Sequence, residues 1–251
     1  MGLRFRGVRL LEEIGKATLL TLQAVYFLVR KPPKLKHFVH QFTYIAAETS
    51  LVVLVTSTFT GGVIALQTYS TFHRFNAEYL IGAVVALSMG RELGPVLTSL
   101  MVVARVGSAM TASIGTMRIT QQIDALEVMA VNPVRYLVTP RLFATTLGVP
   151  FLTVLSNVAG LFGGWFVATQ LFHVNEYLYW QKMVDLTEFY DIAGGLYKAF
   201  VFGFIIAGVS CYFGYYTSGG TEGVGRATTN SVVTSSMLIL ITDYFLTALI
   251  F

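Results

Sequence analysis

The chain is predicted to be an all-α integral membrane protein: five transmembrane helices, an N-terminal interfacial amphipathic helix, and a short cytoplasmic helix between two spans. Three observations predict this class. Of the 251 residues, 55% are hydrophobic and only 12% charged, where a soluble domain carries about 25% charged residues. The mean hydropathy is +0.67. Several stretches also reach the roughly 20 apolar residues that cross about 30 Å of hydrocarbon. The chain therefore reads as one membrane domain, residues 41–251, preceded by an interfacial region, residues 1–40.

The elements follow in order. Phe5, Val8, Leu11 and Ile14 recur at helical spacing, with Arg4, Arg6, Arg9, Glu12, Glu13 and Lys16 between them. The apolar run Ala17–Val29 is short for a crossing, and Arg30-Lys31-Pro32-Pro33-Lys34 ends it. A basic amphipathic helix in the headgroup plane fits this pattern, with packing on the protein's own core as the alternative. The first span is expected at Tyr44–Gln67, with Glu48 near its start, followed by a turn around His73 to Asn76. The second runs from Tyr79 to about Ala104. The segment 105–141 is more polar. The third span is Leu142–Leu171. The stretch His173–Asp191 is acidic and aromatic, as suits a membrane–water boundary. The fourth span is Ile192–Tyr216. The Gly-rich Thr217–Arg226 is read as a flexible turn, and Ser231–Phe251 is the fifth span.

Positive charge orients these spans. Thirteen of the 17 Lys and Arg residues fall in the N-terminal region, the 105–141 segment and the Gly-rich turn. Those parts are thus expected in the cytoplasm and the C-terminus outside. The net charge of +4 and pI near 9.2 are explained by this asymmetry, and a nucleic-acid partner is not expected. Cys211 lies in an apolar run and reads as a small buried hydrophobe.

The most informative run is Met89–Pro95, MGRELGP, which places Arg91 and Glu92 inside an apolar span. A charge at the membrane centre costs at least about 2.5–3.5 kcal/mol on insertion scales, so it faces a partner or a cavity. Pro95 removes a helix hydrogen bond, and Gly90 and Gly94 permit irregular backbone. The run is therefore expected to interrupt its helix, either as a substrate site or as a structural Arg–Glu pair. Lys198 and Asp243 are further charges within spans. An internal Lys–Asp or Arg–Asp contact lowers the cost for both groups.

After the second span, Ala104, Ser108 and Ala112 recur every four residues, as do Gly107, Thr111 and Gly115. Small residues at that spacing bring helix backbones together in lipid, at a dimer or substrate seam or within the chain. Ile119, Ile123, Leu126 and Ala130 then mark one face of a helix, with Thr120, Gln121, Asp124 and Glu127 on the other, and Asn132-Pro133 stops it.

Other chemistry is missing. There is no G-x-x-x-x-G-K-[ST] phosphate loop, and the GGTEGVG run follows no strand. His37, His40, His73 and His173 lack metal-ligand spacing, and no nucleophile elbow is present. No catalytic residue and no metal site are expected.

Three blocks, RELGPVLTSLMVVARVGSA, GTMRITQQIDALEVMAVNPVRYLVTPR and GGTEGVGRATTNSVVTSSMLILITDYFLTALIF, resemble the MlaE/YrbE permease family of MCE-type lipid ABC transporters. The resemblance covers nearly the whole chain. It implies a homodimeric, multi-pass permease of the bacterial inner membrane. Its partners would be an ABC ATPase subunit, an extracytoplasmic MCE-domain protein and a STAS-domain subunit, with a phospholipid as cargo. It implies no cofactor on this chain, ATP and Mg belonging to the partner ATPase. It makes the segment at about Ile114–Val131 a cytoplasmic coupling helix, with Arg118, Asp124 and Glu127 as ATPase contacts. It also assigns Arg91, Glu92, Lys198 and Asp243 to substrate binding. Two other readings are an ion-coupled secondary transporter using Glu92 and Asp243, and a membrane scaffold that moves nothing.

Overall fold

The computed structural model describes residues 2–30 and 35–251, with the side chains of residues 11–30, 36 and 38–251. Among the described residues there are helices and turns and no strand. The side chains of Arg4, Phe5, Arg6, Val8, Arg9 and His37, and the Lys31–Lys34 break, lie outside the described residues.

Helix α1 is Gly2–Arg30 and α2 is Leu35–Phe72. The second span is α3 (Ile81–Ser88), a π-helical turn at Met89–Leu93, α4 (Gly94–Val102), a second π turn at Val103–Gly107, and α5 (Ser108–Ile119). A short α6 follows at Gln122–Val128. A π turn at Val134–Val138 leads into α7 (Thr139–Phe166), which ends in another at Val167–Leu171. Then come α8 (Glu176–Leu186), α9 (Phe189–Tyr215) and α10 (Gly220–Ile250). Five of the resulting helical stretches are long and apolar enough to cross a membrane: Phe38–Phe75, Glu78–Ile119, Val134–Leu171, Phe189–Tyr215 and Gly220–Ile250.

The chain divides into two compact units. One comprises Met1–Ile45, Val102–Leu147 and Gly203–Leu238; the other comprises Ala46–Met101, Gly148–Phe202 and Ile239–Phe251.

In the first unit, α1 buries Leu20 and Ala24 while leaving Leu19, Leu22, Tyr26 and Val29 exposed. The Thr139 hydroxyl donates to the Ala24 carbonyl at 3.3 Å. The helix thus packs one edge on its own unit and presents a second apolar edge outward. The Gly107/Thr111/Gly115 stripe also faces its own unit. A Cβ on Gly107 would meet the Ser210 hydroxyl, and one on Gly115 would meet Thr217 and Val224. The Thr111 hydroxyl lies 3.0 Å from the Ser210 carbonyl and 2.9 Å from Ser231 Oγ. This stripe is therefore intrachain packing of α5 on α9 and α10.

Two sequence expectations differ here. The stretch Ile114–Val131 is not one helix: α5 ends at Ile119, Gln121 takes a left-handed φ of 58°, and α6 begins anew. Ala130 is also left-handed, at φ 57°, and its N–H and that of Val131 cap α6 through the Glu127 and Leu126 carbonyls. The Gly-rich run is mostly helix, not a flexible turn. Only Gly219 and Gly220 have positive φ, and the Gly223 N–H already bonds the Gly219 carbonyl. A Cβ on Gly223 would sit 1.9 Å from the Ser218 carbonyl oxygen, so glycine is what lets this helix start so tightly.

In the second unit, α2 and α7 meet backbone to backbone. A Cβ on Gly61 would lie 1.9 Å from the Gly160 oxygen, and one on Gly163 would lie 2.0 Å from the Thr58 oxygen. Close approach of this kind is how helices associate where lipid is as apolar as the side chains. The Ser57 and Ser156 hydroxyls bond at 2.7 Å inside the same contact. Beside it, Ala65, Ile81, Val85, Met89, Ala168 and Tyr179 form a buried apolar cluster.

Candidate functional site

The charges inside the spans of the second unit converge. Pro95 starts the construction. It has no N–H, so the Arg91 carbonyl four residues earlier loses its helical partner. The turn widens instead of breaking: the Gly94 N–H reaches back five residues to the Met89 carbonyl. The helix is thus continuous through Met89–Leu93 as a π turn, where the sequence suggested an interruption. Such turns are frequent at functional sites.

The freed Arg91 carbonyl is taken by α9. Gly195 lets α9 come close, since a Cβ there would lie 1.9 Å from the Gly90 oxygen. Three residues on, Lys198 is fully buried, and its ammonium donates to the Arg91 carbonyl at 3.2 Å. It also donates to Glu92 Oε2 at 2.8 Å and to Thr247 Oγ1 at 2.6 Å. Those three acceptors use all three N–H groups of a lysine. Asp243 Oδ1 lies 3.2 Å from the same ammonium as an ion contact, yet this buried oxygen receives no hydrogen bond. The Thr247 hydroxyl lies 2.8 Å from the Asp243 carbonyl and 3.1 Å from Glu92 Oε1, tying α10 to the second span.

Arg91 does not pair with Glu92. Its Nη2 and Nε reach Asp191 Oδ1 at 2.6 and 2.8 Å. Asp191 is buried in the first turn of α9, and its Oδ2 accepts the Glu188 N–H at 2.9 Å. Phe251 covers both cations: its ring centre is 4.7 Å from the Arg91 guanidinium carbon and 5.5 Å from Lys198 Nζ. A ring face attracts cations at such distances.

The four residues singled out within the spans, Arg91, Glu92, Lys198 and Asp243, therefore lie in one network. Sequence reasoning missed Asp191, Thr247 and Phe251. Asp191 had been assigned to the outer acidic stretch. The available signal was the cost argument itself, because Arg91 needs an acid and Asp191 lies at the start of the fourth span.

The network carries two cations and three carboxylates. Arg91 and Asp191 neutralise each other, while Lys198 faces both Glu92 and Asp243. Glu92 and Arg91 keep about a third of their side-chain surface exposed, whereas Lys198 keeps none. The buried lysine is the centre of the network, and Arg91 and Glu92 are its more exposed members.

The segment around α6 is separate in chemistry. Arg118 pairs with Asp124 at 2.7 Å and lies 5.9 Å from the Tyr215 ring centre. Ile123 is buried, while Glu127, Val128 and Met129 are exposed. Glu48 is exposed on α2.

The family model described as permease MlaE matches residues 38–249. A probable ABC transporter permease protein of Rickettsia bellii is 44% identical over 246 residues, 98% of this chain and 95% of the relative. The intermembrane phospholipid transport system permease protein MlaE of Haemophilus influenzae is 38% identical over 228 residues, 89% of this chain and 87% of that protein. The chloroplastic protein TRIGALACTOSYLDIACYLGLYCEROL 1 of Arabidopsis thaliana is 38% identical over 200 residues, 80% of this chain and 57% of that protein. With the match running through all five spans, the chain belongs to the permease MlaE family and is a multi-pass ABC transporter permease.

Proposed function

We propose that this permease moves phospholipid between the bacterial inner membrane and an extracytoplasmic MCE-domain partner. Two copies of the chain enclose the lipid, and ATP hydrolysis on a separate ABC ATPase subunit drives the movement. A STAS-domain subunit accompanies the ATPase. The N-terminus is cytoplasmic and the C-terminus periplasmic, in keeping with the distribution of Lys and Arg.

The observation that carries this reading is the network around Lys198. Five ionisable groups are held inside membrane-spanning helices, where each is costly unless it serves a site. Arg91 suits the phosphate of a headgroup, since a guanidinium offers planar, paired donors. Glu92 suits a headgroup amine. The Haemophilus relative's name specifies phospholipid transport. The exposed Val128 and Met129, next to the Arg118–Asp124 pair and Glu127, form the surface offered to the ATPase. α6, capped at its C-terminal end and tied to α5 by the Asp124–Arg118 pair, moves with α5 when the ATPase closes.

The reading is tested with the reconstituted complex in proteoliposomes, following labelled phospholipid transfer to the MCE partner with ATP present. Arg91→Ala and Glu92→Ala are each expected to reduce transfer at least about tenfold, the loss of one charge-assisted contact. ATPase subunits should still co-purify. Transfer that needs an ion gradient and no ATPase would favour a secondary carrier. Transfer unaffected by both substitutions would leave only a scaffold.

A further inference from the structure

A cavity of about 290 Å³ lies wholly within the first unit. It is lined by His40, Gln41 and Tyr44 of α2, by Met110 and Ser113 of α5, and by Arg141 of α7. None of these residues belongs to the network around Lys198.

Arg141 is partly buried, and its guanidinium bonds only neutral oxygens. Nη1 donates to the Leu137 carbonyl at 3.2 Å and Nη2 to Ser113 Oγ at 3.3 Å. Among the described residues no carboxylate pairs with it. A guanidinium has five N–H donors, and here two are used, both at the long end of the hydrogen-bond range. A partly buried positive charge bonded only to neutral oxygens costs energy unless an anion completes it. The remaining lining supplies further polar side chains, those of Tyr44, Gln41 and His40, beside apolar Ile45, Val106 and Ala109.

Depth narrows the anion. Arg141 is seven residues into its span and Tyr44 six into the first, while Ser113 is six from the end of the second. These helical stretches are far longer than the roughly 20 residues that cross the hydrocarbon, so positions about 10 Å from their ends lie away from the membrane centre, toward headgroup level. Polar side chains around a guanidinium, with apolar walls alongside, match a phosphate that carries a hydrocarbon tail.

We propose that this cavity binds a phosphate group, anchored by Arg141, as a site additional to the Lys198 network. The test uses the full-length protein in detergent. Native mass spectrometry reads retention of dioleoylphosphatidylglycerol and, as a control without phosphate, of dioleoylglycerol. Thermal unfolding with and without inorganic phosphate provides the second arm. Arg141→Gln is expected to lose about tenfold or more of its phosphatidylglycerol affinity, and Arg141→Lys to lose less. The same loss is expected in an Arg91→Ala background, which separates it from lipid held by the other site. A response to phosphatidylglycerol alone assigns the phosphate to a lipid headgroup. Arg141-dependent stabilisation by inorganic phosphate assigns it to the free ion. Should Arg141→Gln misfold, a His40→Gln/Gln41→Ala variant on the accessible rim carries the test, with several-fold weaker binding expected. Unchanged retention and unchanged melting across the folded variants overturn the proposal.

Discussion

Lys198→Met is expected to destabilise the protein by about 3–5 kcal/mol, the usual consequence of removing one partner from a buried ion pair. The side chain is fully buried, and its ammonium contacts both Glu92 and Asp243. Without it two carboxylates face each other across α10 and the second span, and the Arg91 carbonyl loses the donor that α9 supplies. Methionine matches the length of the lysine stem, so the loss reports charge and not volume. Neutralising the acids should recover much of it: a Lys198→Met/Glu92→Gln/Asp243→Asn variant is expected to melt well above Lys198→Met alone. Thermal unfolding in detergent checks both statements. An unchanged melting point for Lys198→Met would mean that the lysine is solvated and the network does not hold the three helices together.

The second large effect concerns two glycines that touch. Gly195→Val is expected to prevent assembly of the charged network, whereas Gly90→Ala should be close to silent. A Cβ on Gly195 would sit 1.9 Å from the Gly90 oxygen, which is backbone and cannot swing aside, while a Cβ on Gly90 meets nothing within 4 Å. Overpacking typically costs about 1–3 kcal/mol. Here the displacement of α9 also withdraws Lys198 from its acceptors, so the expected loss exceeds that range. Comparing the melting points and phospholipid transfer of the two variants checks this. Equal behaviour would place the contact elsewhere.

The contrast between these glycines shows what the sequence could reveal. Hydropathy and length located five spans, because crossing hydrocarbon imposes a length that composition must honour. The cost of an intramembrane charge identified Arg91, Glu92, Lys198 and Asp243 before any coordinate was known. The same argument could not choose partners. Arg91 has an acid beside it in the chain, yet helical neighbours point about 100° apart, and the acid it reaches is 100 residues away at Asp191. Gly61, Gly160, Gly163 and Gly195 carried no label distinguishing backbone contact from open space, since that depends on which helix lies opposite. The Gly-rich run beginning at Thr217 looked like a turn because glycine is a poor helix former. It is helical from Gly220 onward, and glycine stands at 223 because a side chain there would strike the Ser218 carbonyl.

One feature of the widened turn bears on how this protein will look to a mutational scan. Part of the cradle for the Lys198 ammonium is peptide oxygen, contributed by position 91 whatever side chain stands there. Substituting Arg91 will therefore reveal the role of its guanidinium and stay blind to its backbone. The residue that sets that oxygen free is four positions downstream, touches no charge, and would score as a bystander in any screen for polar groups. Restoring an amide hydrogen with Pro95→Ala is the way to interrogate a ligand that has no side chain to delete.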